Sequence, residues 1–152
     1  MDKKLVARGV KRVFETTDGD ELLALHDFDL DASHGEIVAL IGPSGCGKST
    51  FLRLVAGLDK AQDGSIAYGG EEIDGPSYDR GFVFQETNLY PWLTVEKNIA
   101  FGLKARGVYK QEKHRVQEMI DLMGLTGFEK SYPHQLSGGM CQRASLARAL
   151  IG

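Results

Sequence analysis

The stretch that most restricts how this chain folds runs from Ile37 to Gly57. Five apolar residues, Ile37-Val38-Ala39-Leu40-Ile41, lead into Gly42-Pro43-Ser44-Gly45-Cys46-Gly47-Lys48-Ser49-Thr50, and Phe51 to Gly57 continue a helix. A short apolar run of this kind reads as a strand buried on both faces. The turn after it fits the phosphate-loop pattern G-x-x-x-x-G-K-[ST] at every specified position. Glycines at 42, 45 and 47 let the backbone turn where a Cβ would obstruct it, so successive N–H groups point inward at phosphate oxygens. The helix opening near Lys48 adds its positive end. Lys48 is suited to the β- and γ-phosphates as a mobile point charge, and the Ser49 hydroxyl to Mg²⁺. The order strand, loop, helix predicts an α/β fold that holds a nucleoside triphosphate.

The bulk of the chain is compatible with that reading. Its 152 residues suffice for one domain with a core. The formal net charge of −3 supplies no basic field for nucleic acid. No apolar run approaches the about 18 residues that span a bilayer, and Met1-Asp2-Lys3-Lys4 leads into no secretory h-region. The two cysteines, Cys46 and Cys141, both lie within glycine-rich motifs. Together these features predict reduced thiols and a cytosolic location.

Along the chain, Lys4 to Glu15 predict a β segment, and Thr16-Thr17-Asp18-Gly19-Asp20 a hairpin turn. His26 to Ala32 alternate apolar and acidic residues, as a strand with one wet face does. Gly57 predicts a helix stop, Ser65 to Tyr68 a short strand, and Gly69-Gly70 a turn. Arg80 to Gln85 predict another apolar strand. Its polar end, Gln85, suits either a contact to Mg²⁺ or the attacking water, or simply the start of a loop. Asn88 to Leu93 carry aromatics around Pro91, consistent with either a docking surface or partly buried core. Two helices follow: one capped by Thr94 with Val95, Ile99 and Leu103 in register, and one over roughly Gln111 to Met123. Beyond Tyr132-Pro133-His134-Gln135, Ser137 is a good N-cap for a helix through Ile151, and Leu136-Ser137-Gly138-Gly139 offers N–H groups and a hydroxyl to an anion.

Three of these segments together resemble the ATP-binding subunits of ABC transporters. Gly42–Thr50 is similar to the Walker A loop, Gln85 to the Q-loop, and Leu136-Ser137-Gly138-Gly139-Met140-Cys141-Gln142-Arg143 to the signature motif, which follows Lys48 by roughly ninety residues. The runs GPSYDRGFVFQETNLYPWLTVEKNIAFGL and YPHQLSGGM most resemble the importers for nitrate, aliphatic sulfonates and taurine. The resemblance implies a P-loop NTPase core of the ABC ATPase type. Residues 1–85 and 132–152 would form that core with an N-terminal antiparallel β subdomain, and residues 86–131 a helical subdomain.

It also implies roles. ATP and Mg²⁺ would be held by Gly42, Pro43, Ser44, Gly45, Cys46, Gly47, Lys48, Ser49, Thr50 and Gln85, with Ser49 and Gln85 at the metal and Phe14 stacked on adenine. Leu89, Tyr90, Pro91 and Trp92 would face a membrane-embedded permease. Ser137, Gly138 and Gly139 would contact ATP bound to a partner subunit in a head-to-tail homodimer. A solute-binding protein would act indirectly, and the chain would sit in the cytoplasm on the inner face of the cell membrane.

In the family a Walker B strand with its acidic residues and a switch histidine follow the signature helix; this sequence ends at Ile151-Gly152, before them. Leu22-Leu23-Ala24-Leu25-His26-Asp27 mimics such a strand but precedes the loop, and no Glu follows Asp27. The expectation is therefore an N-terminal part of the domain without its C-terminal core strands, and no catalytic residue is assigned within it. The alternative is a non-catalytic nucleotide-binding fragment or interaction module. A nucleic-acid-associated ABC ATPase fits neither the net charge nor the Leu-Tyr-Pro-Trp segment.

Overall fold

A long β-hairpin organises the first half of the chain in the computed structural model, which describes residues 3–151. Strands β1 (Leu5–Glu15) and β2 (Glu21–Ala32) pair antiparallel, from Leu5 opposite Ala32 to Glu15 opposite Glu21. The predicted turn closes it: Thr16 N–H donates to Asp20 O at 2.8 Å, and Asp20 N–H to Thr16 Oγ1 at 3.1 Å. The alternation at its far end holds, with Asp27, Asp29 and Asp31 exposed and Phe28, Leu30 and Ala32 half-buried. Strands β3 (Asp63–Tyr68) and β4 (Glu71–Glu72) complete a sheet of order β2-β1-β3-β4.

Helix α1 (Lys48–Val55) supplies the apolar cover for this sheet. Phe51 and Leu54 are buried in one cluster with Ala7, Val10, Leu25 and Ile66. Each large side chain so buried contributes about 1.5–3 kcal/mol. The helix stops where Gly57 takes φ 74°, and Leu58 N–H then caps Arg53 O at 2.9 Å. A Cβ at Gly57 would lie 2.2 Å from the Gly75 carbonyl, so this position needs glycine for both conformation and space.

The chain divides into two compact units, one up to Arg80 and one from Gly81. The second is helical: α2 (Val95–Ile99), α3 (Phe101–Ala105), α4 (Tyr109–Glu112), α5 (His114–Leu122), a 3₁₀ turn at Pro133–Gln135 and α6 (Gly138–Leu150). Val95, Ile99, Leu103, Val116 and Ile120 share one core with Ala144 and Ala147 of α6. The apolar spacing of the sequence is what this core consumes. Thr94 caps α2 as expected, its Oγ1 accepting from Lys97 N–H at 3.4 Å.

Two expected strands are not formed. Residues 37–41 have no strand conformation; Ile37 is 97% and Ile41 94% exposed, and of this run Leu40 packs against the core cluster. Residues 80–85 are likewise irregular, with Phe82 and Phe84 meeting edge to face at 4.7 Å. The reason is partnership. A strand apolar on both faces holds its shape through ladders on its edges and cover on its faces. Among the described residues, the sheet order leaves no strand beside either segment. Gln85 is therefore exposed in a bend, not placed at a strand end.

Candidate nucleotide site

The glycine-rich loop closes onto the start of α1. Gly45 and Gly47 take φ 81° and 94°, values at which a side chain is strained, and Cys46 N–H reaches back to Pro43 O at 3.4 Å. Gly47 is also the N-cap of α1. It is buried against β2, where a Cβ would fall 2.3 Å from Ala24 O and 2.9 Å from Leu25 Cδ2. A Cβ at Gly42 would lie 2.7 Å from Cys46 Sγ. Gly47 is thus fixed by crowding and by conformation, and Gly45 by backbone conformation with open space around it, whereas a Cβ at Gly42 would meet only the exposed Cys46 side chain, which can turn away.

What the loop offers a ligand is positive. The first turn of α1 carries no acidic residue and no side-chain cap, so its leading N–H groups have no partner within the helix. Lys48 Nζ folds back into the loop, donating to Gly42 O and Pro43 O at 2.7 Å each and lying 3.3 Å from Cys46 Sγ. An ammonium satisfied by two carbonyls and a thiol can exchange them for a phosphate, whose charge gives stronger hydrogen bonds. Ser49 is exposed one residue on. A cavity of about 320 Å³ lies beside the loop, lined by Leu25, Phe28, Leu40, Cys46, Lys48 and Phe51 among others. The arrangement fits a phosphate chain. For a divalent cation the described residues hold no cluster of His, Cys, Asp or Glu. Ser49, completed by phosphate oxygens and water, is the kind of sparse donor set that Mg²⁺ accepts.

Phe14 lies near the turn end of β1, opposite Leu22 and half-buried. In the second unit, Ser137, Gly138 and Gly139 are exposed at the start of α6. Ser137 Oγ accepts from Met140 N–H at 3.2 Å, which leaves its own hydrogen free to donate. Neither glycine has a positive φ, and a Cβ on either would meet nothing within 4 Å. Cys141 is buried and free, its Sγ 3.5 Å from Pro133 O; Cys46 is free and exposed. His134 stacks on Tyr132 with ring centroids 5.9 Å apart.

The Leu89–Trp92 segment splits by residue. Leu89 packs against the helical core, Tyr90 lies against Phe101 at 4.8 Å with the Arg148 guanidinium 5.1 Å from its centroid, and Trp92 is 70% exposed. The residue that shapes this segment escaped the sequence reading. Asn98 is fully buried; its Oδ1 accepts from Tyr90 N–H at 2.8 Å, and its Nδ2 donates to the carbonyls of Tyr90, Leu93 and Thr94 at 3.0–3.2 Å. The available signal was an amide set between Val95 and Ile99 on an otherwise apolar helix face.

This fold and loop place the chain in a family: it belongs to the ABC transporter family, whose model matches residues 25–152. The aliphatic sulfonates import ATP-binding protein SsuB of Bacillus subtilis (strain 168) is 44% identical over 146 residues, 96% of this chain and 56% of that protein. The taurine import ATP-binding protein TauB of Pelagibacter ubique (strain HTCC1062) is 44% identical over 149 residues, 97% of this chain and 56% of that protein. The chain thus spans about half the length of the curated relatives it matches. Among solved structures, the dimeric ATP-binding cassette MJ0796 bound to ADP and Pi superposes with TM-score 0.85 at 31% identity, covering 97% of this chain and 69% of that one. The fold is an ABC ATPase fold in part, with an antiparallel sheet toward the N-terminus and helices after it.

Proposed function

We propose that this chain carries the nucleotide-binding part of an ATP-binding subunit that energises an importer of nitrate, aliphatic sulfonates or taurine. The observation that carries the proposal is the loop itself: Lys48 turned inward on two carbonyls above an uncapped helix start. In this reading residues 42–50 bind the triphosphate, with Lys48 at the β- and γ-phosphates. Ser49 and Gln85 take Mg²⁺, and Phe14 stacks on adenine. Residues 1–85 and 132–152 serve as the core of the complete domain and 86–131 as its helical subdomain.

The remaining assignments concern partners. Ser137, Gly138 and Gly139 would contact ATP held by a second copy in a head-to-tail dimer. Two exposed glycines that neither backbone conformation nor intrachain packing demands support close approach by another molecule. Leu89, Tyr90, Pro91 and Trp92 would face the permease, which would hold the subunit on the inner membrane face; the 70% exposure of Trp92 supports this. A solute-binding protein would act on the far side of the permease. In the complete protein, bound ATP would be hydrolysed by in-line attack of water.

The test is the melting temperature of the chain with and without Mg-ATP, with Lys48→Ala as control. Ligand at about 100 times its Kd adds about 2.7 kcal/mol to the stability of the folded form. A melt that rises with ATP in the parent chain and stays put in the variant supports the proposal. Equal response in both, or none, contradicts it.

A further inference from the structure

Arg12 and Phe14 stand two residues apart on β1, and the Arg12 guanidinium lies over the Phe14 ring, 4.7 Å from its centroid. The same guanidinium pairs with Asp59, Nη2 to Oδ1, at 2.9 Å, and the two side chains are only 21% and 20% exposed. Arg12 Nε is buried and donates no hydrogen bond among the described residues. A long side chain free to turn toward water does not leave such a donor unmet. The guanidinium is therefore held in place by the ring on one side and the carboxylate at its tip.

An aromatic ring has two faces, and a cation on one leaves the other for a planar partner. The hairpin register sets where that ring is. Phe14 is opposite Leu22, two residues from Ala24, whose carbonyl Gly47 approaches closely. At about 3.4 Å per residue and 4.8 Å between strands, the Phe14 backbone is roughly 8 Å from that contact with the phosphate loop. A ribose with its attached phosphate bridges a gap of this order.

We infer that Arg12, anchored by Asp59, is a positioning residue for the nucleobase: it covers one face of Phe14 and fixes the ring so that the opposite face receives the base. The inference rests on the reading that Phe14 stacks on adenine and residues 42–50 hold the phosphates. It assigns Arg12 no contact with the nucleotide.

The test is equilibrium binding of ATP and of inorganic tripolyphosphate to the full chain, its Arg12→Gln, Asp59→Asn and Phe14→Ala variants, and the Arg12→Gln/Phe14→Ala double variant. Tripolyphosphate uses the loop alone, so its unchanged affinity certifies that a variant is folded. Arg12→Gln should weaken ATP about three-fold, in line with a partly exposed cation–π contact, and leave tripolyphosphate unaffected. Asp59→Asn should shift ATP in the same direction by less. The double variant should bind ATP no worse than Phe14→Ala. ATP affinity in Arg12→Gln equal to or above the parent, with Phe14→Ala weakened, overturns the role of Arg12 and leaves the stacking reading standing. ATP affinity unchanged in Phe14→Ala removes the stacking reading, and the inference falls with it.

Discussion

Asn98 shows how much of this structure depends on one side chain. Its amide meets four backbone groups of residues 90–94, and the Leu-Tyr-Pro-Trp turn has its shape because those groups have somewhere to go. Asn98→Leu keeps the branching of the side chain, adds some bulk, and removes every partner. We expect it to cost roughly 1–3 kcal/mol, the penalty for stranding buried polar groups, seen as a lower urea midpoint, with Trp92 fluorescence reporting a looser turn. An unchanged midpoint would mean the turn is held by Leu89 and Tyr90 packing instead. At this scale the sequence was legible where chemistry is local. The glycine-rich loop announces itself because its whole pattern lies within the consecutive residues 42–50. Asn98, and Arg12 against Phe14 and Asp59, were not legible, because their partners are chosen by the turn and by the pairing of distant strands.

Elements separate by the same logic. The β1–β2 hairpin was readable because its turn, its alternation and its partner lie within one span, with Thr16 closing onto Asp20. Helix α2 was readable from Thr94 and the spacing of Val95 and Ile99. Residues 37–41 and 80–85 read as strands on apolar content alone, yet composition supplies no neighbour, and without one the backbone stays irregular. Two glycines give the contrast an experimental form. Gly57→Ala forces a Cβ within 2.2 Å of the Gly75 carbonyl at φ 74°, and should lower the urea midpoint markedly; the left-handed conformation alone costs about 1–2 kcal/mol. Gly138→Ala has open space and an ordinary φ, and should melt at or above the parent temperature. If both variants melt alike, crowding at Gly57 is not what stops α1.

At the scale of the molecule, surface carboxylates should couple stability to pH. Asp31 is held well below the usual carboxylate range by hydrogen bonds from Arg8 and Lys4. Asp79 is lowered by Ser77 and then Lys3, Asp121 by Thr126 and Gln117, and Asp74 by Lys60. A carboxyl lowered on folding adds stability above its unfolded pKa and loses it as pH falls through the folded value. The melting temperature should therefore be flat near neutrality and fall below about pH 4. These groups are exposed, so added salt should blunt the fall. A melt that is unchanged at pH 3 would show that the pairs contribute nothing.

The most direct measurement for the account is hydrogen exchange of the backbone amides with and without Mg-ATP, in the parent chain and in Lys48→Ala. Exchange should slow in residues 42–52 and along the hairpin near Phe14, with residues 95–122 unchanged and no protection in the variant. Protection absent from residues 42–52, or equal in the parent and Lys48→Ala, would contradict the claim that this loop is the nucleotide site.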